Sequence, residues 1–542
     1  PFEASSASGV NQGQDNGATD SGAAYIFTVP PPPVPVTLAH SNYRVPGAVD
    51  LFYGAQGAAA VNATGRILFD MGVTGAGAAK GGNRVMLSTL GPDGLVDLAL
   101  QRGQDVSGLG GWPAGAKVSS LAAPVLNQTQ LGVFQITASG RGITGAGNRL
   151  IVRDDGETLV AVRRTGAPLN ELGGAVPSAF REVLQHHSQD LLAVSYTLQR
   201  SRPLNVTPMN DSGMVLINHA GAVQSFGARE GEEIFDGGGI FGQFTGRAAL
   251  ATGTHVFFIA PYFPTGERKA RQGVFYSNAD GTVAFKYGPS QGEPAPGALN
   301  GETLNTFLGV NERDFVSLLR ATMRGVSAKQ NEGIFNCGSV LLLQKGVPFD
   351  PVNLPGVFAA RFLKYWPVDD DQLVVQAVLG GNPGAGVTGR NNQALLLLNA
   401  SGNWQVLLRT GDPAPGAAPA TLAKISAVEV DRVNGHYVVL GTLRGAPGAS
   451  NQALWRGRTK LGNDTTEQSL RLPQLALRKG DVYQSTITPG GVIKGLAIKP
   501  VADTTGAGAR GLGQIIGSGG DAVVTILGDR RVQELVLLSD AE

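Results

Sequence analysis

The side chains best equipped for chemistry are few and scattered. Six histidines, His40, His186, His187, His219, His255 and His436, are spread along the chain, with no HExxH and no second metal-ligand spacing. His186 and His187 are adjacent, and neighbours in an extended segment point to opposite faces, so they read as structural rather than metal-binding. The single cysteine, Cys337, excludes an internal disulfide framework and every multi-cysteine zinc or iron–sulfur site. It lies in the apolar run GIFNCGSVLLL and reads as a small buried hydrophobe, not a nucleophile. Carboxylates cluster at Asp369, Asp370 and Asp371 and, around a glycine, at Glu230, Glu232 and Glu233. Paired carboxylates cleave glycosides when held across a cleft at a defined separation; runs of acids at strand ends read instead as solvated turns. Trp112, Trp366, Trp404 and Trp455 offer stacking surfaces for sugars, but core or inter-blade packing accounts for them as well. No GxSxG falls in a strand–turn–helix setting. The expectation is therefore no catalytic residue, no metal site and no cofactor.

Three glycine-rich runs, VTGAGAAKGGN from Val73, SGRGITGAGN from Ser139 and GGNPGAGVTGRNN from Gly380, raise the question of phosphate binding. A nucleotide loop must open a helix whose amides cradle the phosphates, and no helix follows any of them. They share one phase of a repeat, which predicts inter-strand loops gathered on one face of the molecule, where a partner is most easily contacted.

The elements that carry these residues follow from composition. With 78 glycines and 31 prolines among 542 residues, 16% charged and 6% aromatic, the chain is turn-rich and all-β, and 42% apolar content is too high for disorder. A net charge of +1 provides no field for nucleic acid or an anionic membrane surface. No apolar run is long enough for a transmembrane helix. The first residue is Pro rather than Met, which suggests removal of a signal peptide or a piece of something longer, and favours secretion.

A glycine that closes an apolar segment recurs at Gly103, Gly166, Gly231, Gly292, Gly346, Gly411 and Gly480, at separations of 54 to 69 residues. Around Gly292 and Gly411 it is embedded in GEPAPG and GDPAPG. Each unit contains a β-rich run, such as RILFDM from Arg66 or LVVQAVL from Leu373, then a hairpin such as RLIVRDDGETLVAV with its Asp-Gly turn. A further strand candidate follows the glycine, for example KVSSLAA from Lys117 or KISAVEV from Lys424. Four short strands repeated about every 63 residues describe a β-propeller. The seven glycines then read as structural turns, where proline cannot donate to a ladder and the third strand of a blade gives way to the fourth.

Between Ser41 and Ser539 there is room for eight such units, with seven as the alternative. VDLFYGA from Val49 reads as a fourth strand lacking its blade, and GLGQIIGSGGDAVVTILGDRRVQELVLL as strands one to three lacking their fourth. Joining them closes the ring and removes two exposed sheet edges. Third-strand candidates stand at both ends, VTLAH and VQELVLL, and the sequence does not say which completes the last blade.

The combination of apolar-Arg-x-Gly-Asp-Pro-Ala-Pro-Gly with Asn-x-x-Gly before a strand, as in VNATGRILF at Asn62 and MNDSGMVLI at Asn210, resembles a group of uncharacterised secreted bacterial tandem-repeat proteins. The resemblance implies a propeller-like fold and an extracellular or cell-surface setting, and it transfers no catalytic residue. SGVNQGQDNGATDSGAAYIFT, Ser8 to Thr28, resembles the last strand and preceding loop of a bacterial integrin-type FG-GAP repeat. The acidic calcium loop of that family is absent, which leaves Asp15 and Asp20 weak metal candidates.

The domain reading is a strand-forming tail at 1–29, a proline-rich spacer at 30–36 and a propeller at 37–542. A strand-forming segment held off by VPPPPVPV cannot stay an isolated strand in water. Ala24, Tyr25, Ile26, Phe27, Thr28 and Val29 therefore fold back, add to a neighbouring molecule and so build a fibre, or are the stub of a preceding domain. The functional expectation is a non-enzymatic extracellular structural or adhesive module whose partner is a second copy of itself. The competing class is a ligand- or carbohydrate-binding propeller with its site in the central channel or on one face, taking a surface glycan or protein.

Overall fold

The computed structural model describes residues 35–539, apart from 79–82, 90–94, 235–237, 251, 253–254, 279–284, 298–300, 314–315, 338–339, 351–353, 370–371, 400–401, 432, 460–470, 509 and 530–531. The tail residues 24–29, and with them Asp15 and Asp20, lie outside the described residues, as do Asp370 and Asp371.

Eight antiparallel sheets follow one another around the chain, each built on four strand positions. Blade 1 runs Phe52–Val61, Ile67–Thr74, Arg84–Thr89 and Val96–Gln101, in that spatial order from the axis outwards. Blades 2 to 7 repeat this order, ending with Thr421–Val430, His436–Arg444, Gln452–Arg458 and Arg471–Arg478. The second and third strands are buried on both faces because a sheet lies against each, so they read as continuous apolar runs: Ile67, Leu68 and Phe69, or Val438 and Val439, are fully buried. Seven apolar clusters fill the spaces between blades, and large rings such as Trp366, Trp455 and Phe335 sit within them. The described helices are single three-residue 3-10 turns.

Eight blades, rather than seven, close the ring, and both chain ends share the last one. Blade 8 is ordered Gly495–Ala497, Ala522–Leu527, Gln533–Leu538, Val36–His40. Two expectations need correction. VDLFYGA does not complete this blade; its residues from Phe52 open blade 1 as the innermost strand. VTLAH supplies the missing outer strand, Val36 pairing with Leu537 and His40 with Glu534, so the two third-strand candidates lie side by side. Val36, the last residue of the expected spacer, already belongs to the propeller.

The second correction concerns the glycine motif, which lies between blades rather than within one. Lys117–Leu121 pairs with Gly132–Ser139 of the following sheet, so the segment after the glycine is the first strand of the next blade. The physical reason is that a repeat fixes the order of strands but not where the circle is cut; that depends on non-local pairing. All seven glycines do the same work there. Each has positive φ, from +73° to +95°. Each donates its N–H to a carbonyl across the crossover: Gly103 to Val118, Gly292 to Leu304 and Gly411 to Leu422, at 2.7 to 2.8 Å. The left-handed conformation is what bends the rim strand back towards the axis, and a Cβ would strain it.

Candidate functional site

In a propeller the innermost strands surround a central channel, and here the chain itself crosses it. The innermost strand of blade 8 is split. Ala497 pairs with Thr525 and Ile516 bridges to Ala522, so 19 steps along one strand face 3 along the other. The inner strands of blades 1 to 7 carry register shifts or splits of their own, as at Gln56 or between Phe241 and Ala248. In blade 8 this irregularity is expanded into a strap, residues 498–514, that crosses the channel before returning as GQIIGSGG.

The strap completes hydrogen bonds that the ring leaves open. Main-chain N–H groups of Val61, Gln185, Leu250 and Tyr365, from blades 1, 3, 4 and 6, donate to the carbonyls of Gln514, Gly511, Arg510 and Gly506 at 2.9 to 3.2 Å. Asn311 of blade 5 donates its side-chain amide to Gly508 at 2.9 Å, and Gln514 donates to Val430 of blade 7 at 2.7 Å. The glycines allow this approach. A Cβ at Gly513 would stand 2.2 Å from the carbonyl oxygen of Pro124 in blade 2, and one at Gly517 2.4 Å from that of Asn62 in blade 1.

One charged group anchors the strap. Arg510, 6% exposed, meets Glu182 of blade 3 at 2.5 Å and Asp503 of the strap at 3.3 Å, and donates to the Ala248 carbonyl. Burial lowers the pKa of Arg510, but Glu182 and Asp503 outweigh it and hold the guanidinium above its usual value. Burial likewise pushes Asp503 up, and the Arg510 charge with hydrogen bonds from Thr505 brings it below the usual carboxylate range. Beside this network lies a cavity of about 270 Å³ lined by Pro124, Gln135, Glu182, Asp503, Thr504 and Arg510, among others. A smaller polar void of about 30 Å³ on the channel touches Gln185, His187, Asp431 and Gln514.

The sequence candidates are placed as follows. His186 accepts the amides of Ser188 and Gln189 on Nδ1 and faces the Thr252 carbonyl at 3.0 Å with Nε2, a structural role. His219 sets Nδ1 against Asp190 at 2.5 Å, but its Nε2 is occupied by Gln185 at 2.7 Å, so this dyad serves no nucleophile. Burial lowers the His219 pKa despite Asp190, which favours the neutral ring. Cys337 is buried, and burial pushes its thiol up to about 12. Glu230 is buried and accepts the Ser212 hydroxyl at 2.7 Å, whereas Glu232 and Glu233 are exposed. All four tryptophans are buried; Trp112 and Trp455 donate to the carbonyls of Gly147 and Pro415. Among the described residues no group of three or more His, Cys, Asp or Glu is arranged to hold a metal, and no helix is long and apolar enough to cross a membrane. The glycine-rich runs occupy the same connection, between the second and third strands of blades 1, 2 and 6.

Two functional groups escaped the sequence reading. One is the strap with Arg510, Glu182 and Asp503; its signal is that TTGAGARGLG is a glycine-rich run out of phase with the other three, ahead of the second strand of its blade. The other is Glu534, fully buried in blade 8. It accepts hydroxyls from Thr37 at 2.5 Å, Tyr483 at 2.5 Å, Thr488 at 2.8 Å and also from Ser485. Burial raises its pKa, yet these four donors outweigh it and hold the carboxyl below its usual range. The last three belong to a hairpin of Val482–Gln484 and Pro489–Val492 that covers the outer edge of the N-terminal strand, Thr486 donating its N–H to the Pro35 carbonyl.

A search of curated proteins finds no sequence match. Solved structures of similar form include the β-propeller domain of the Trilobed protease from Pyrococcus furiosus, at 10% identity and TM-score 0.36, with 77% of this chain and 98% of that one covered. The acylaminoacyl peptidase of Pyrococcus horikoshii follows at 10% identity, TM-score 0.37, with 74% and 50% covered, and a Trypanosoma rangeli sialidase at 11%, TM-score 0.27, with 60% and 53% covered. The chain spans about half the length of the acylaminoacyl peptidases it matches. No activity transfers at such identities. A family model matches residues 61–460, well over half of the chain, and on that match the protein belongs to the family of unknown function DUF7453.

Proposed function

We propose that this protein is a non-enzymatic, extracellular structural or adhesive β-propeller that assembles by giving its N-terminal strand, Ala24 to Val29, to a neighbouring molecule. The observation that carries the reading is the pairing of a channel crossed by the chain's own strap with an N-terminal strand on the outer rim. The strap satisfies inner-strand donors with the chain's own carbonyls, and a ligand in the channel would have to displace bonds that already exist. Pro35 lies on the outer rim, at the start of the outermost strand of blade 8, and the latch through Glu534 holds that strand. A tail anchored at the rim of a rigid disc and carrying an uncharged strand-forming sequence suits donation to a second copy.

The second reading, a ligand- or carbohydrate-binding propeller, has the 270 Å³ cavity in its favour. Against it, both carboxylates there are engaged by Arg510. The deciding experiment compares the mass of the full chain with that of a chain starting at Pro35, by light scattering after size exclusion. The full chain should form concentration-dependent assemblies and the shortened one should be a monomer; equal masses would overturn strand donation.

A further inference from the structure

We propose that the surface which accepts the donated strand is the outer edge of blade 5, Val340–Gln344, together with the groove beside it on blade 6; this rests on the strand-donation reading. Every propeller blade ends in an edge strand with unpaired main-chain groups, and stable proteins protect such edges with charges, proline or a covering segment. Around this ring the outermost strands are guarded in that way. Blade 1 carries Asp97, blade 2 Arg163 and Arg164, blade 3 Arg229, blade 4 Pro289, blade 6 Arg409, and blade 7 Pro473. The outer strand of blade 8 is covered by the 482–492 hairpin. The outer strand of blade 5 is VLLLQ, with neither charge nor proline, and Val340 is 49% exposed.

A groove on blade 6 shares an apolar cluster with this edge. Leu342 packs into the cluster that holds Leu354 and Trp404, with Phe349 and Val406 against it. Leu354, Trp404 and Val406 line an open groove of about 550 Å³ whose polar side is formed by Asp350, Asn399 and Asn403. Strand addition takes affinity from main-chain bonds along an edge and specificity from pockets for alternate side chains. In AYIFTV the alternate residues Tyr25, Phe27 and Val29 form one apolar set of matching character.

Reach decides whose tail arrives. Blade 5 is three-eighths of a turn from blade 8. Three strand spacings separate inner from outer strands and at least one more separates the inner strands from the axis, so the rim radius is at least about 19 Å. The chord to blade 5 is then at least about 35 Å. The seven residues Val29 to Pro35 span at most about 25 Å when fully extended. The tail of one molecule therefore reaches blade 5 of another, and donor and acceptor, being different surfaces, form a head-to-tail contact that propagates wherever its rotation does not close a ring.

The test uses Val340→Lys in the full chain, the chain starting at Pro35, and Val482→Lys on the exposed hairpin as a control for added charge, with circular dichroism to establish that each is folded. Val340→Lys and the shortened chain should each be monomeric, their equimolar mixture should stop at a dimer, and Val482→Lys should assemble as the parent does. If the shortened chain is monomeric while Val340→Lys assembles fully, or if Val482→Lys disrupts assembly equally, the acceptor assignment falls and donation survives. If the shortened chain still assembles, donation itself falls. If Val340→Lys is unfolded, Val406→Lys in the groove takes its place and must give the same monomer.

Discussion

Glu534 offers the sharpest test of how the ring is held shut, through the substitution Glu534→Gln. In the parent, four hydroxyl donors converge on a fully buried carboxylate that joins the N-terminal strand, its neighbour in blade 8 and the 482–492 hairpin. Hydrogen bonds to a charged group contribute about 1.5–3 kcal/mol each, and the cost of burying the charge removes several kcal/mol of that total. A net loss of about 2–4 kcal/mol on neutralisation follows, equivalent to roughly 30- to 1000-fold more frequent opening of the latch. The assay is hydrogen exchange of amides in Val36–Ser41 at neutral pH, which should accelerate by that factor while blades 2 to 6 are unaffected. The sign of the pH dependence follows from the lowered pKa of Glu534. A carboxyl depressed on folding stabilises the fold above its unfolded pKa, about 4.3, and that stabilisation is lost as pH falls through the folded value. Parent and variant should therefore begin to converge below about pH 4. A difference that stays constant from pH 7 to pH 3 would refute the latch as a charge-dependent device.

Two further substitutions examine the strap. Arg510→Met leaves Glu182 and Asp503 buried without their counter-charge, and should destabilise the channel by about 3–5 kcal/mol; adding Glu182→Gln and Asp503→Asn should recover most of this in denaturant unfolding, and additive effects with no recovery would show the three do not form one network. Gly513→Ala places a methyl 2.2 Å from a main-chain oxygen, which at about 1–3 kcal/mol or more should loosen the strap and admit limited proteolysis within 498–520; Gly292→Ala, with positive φ but nothing within 4 Å of its Cβ, should cost about 1–2 kcal/mol and leave the strap protected.

What was legible in the sequence follows from what is local. The β-rich runs, the Asp-Gly hairpins and the recurring glycines are each set by a few neighbouring residues, and their period with the leftover strands at both ends leads to eight blades, seven being the alternative, with the last one shared. The phase of the blade was not legible, because whether Lys117–Leu121 joins the sheet before it or after it depends on pairing with Gly132–Ser139. The same holds for the ends: VTLAH and VQELVLL look like rivals for one position, and only long-range pairing makes them neighbours. The channel was least legible. Glycine-rich runs look alike in one dimension, yet those at Val73, Ser139 and Gly380 are surface connections while TTGAGARGLG threads the axis against most of the inner strands. Close approach alone does not separate them, since a Cβ at Gly75 or Gly77 would meet the main chain of Asp50 or Val49 as tightly as one at Gly511, Gly513 or Gly517 meets that of Leu250, Pro124 or Asn62; the distinction is that the strap glycines meet inner strands of other blades. A strap so closely fitted is better understood as the ninth structural element of the ring than as a loop of blade 8. Eight separate sheets leave main-chain donors at the inner ends of their blades, and the split innermost strand of blade 8 supplies the segment that satisfies those of blades 1, 3, 4 and 6.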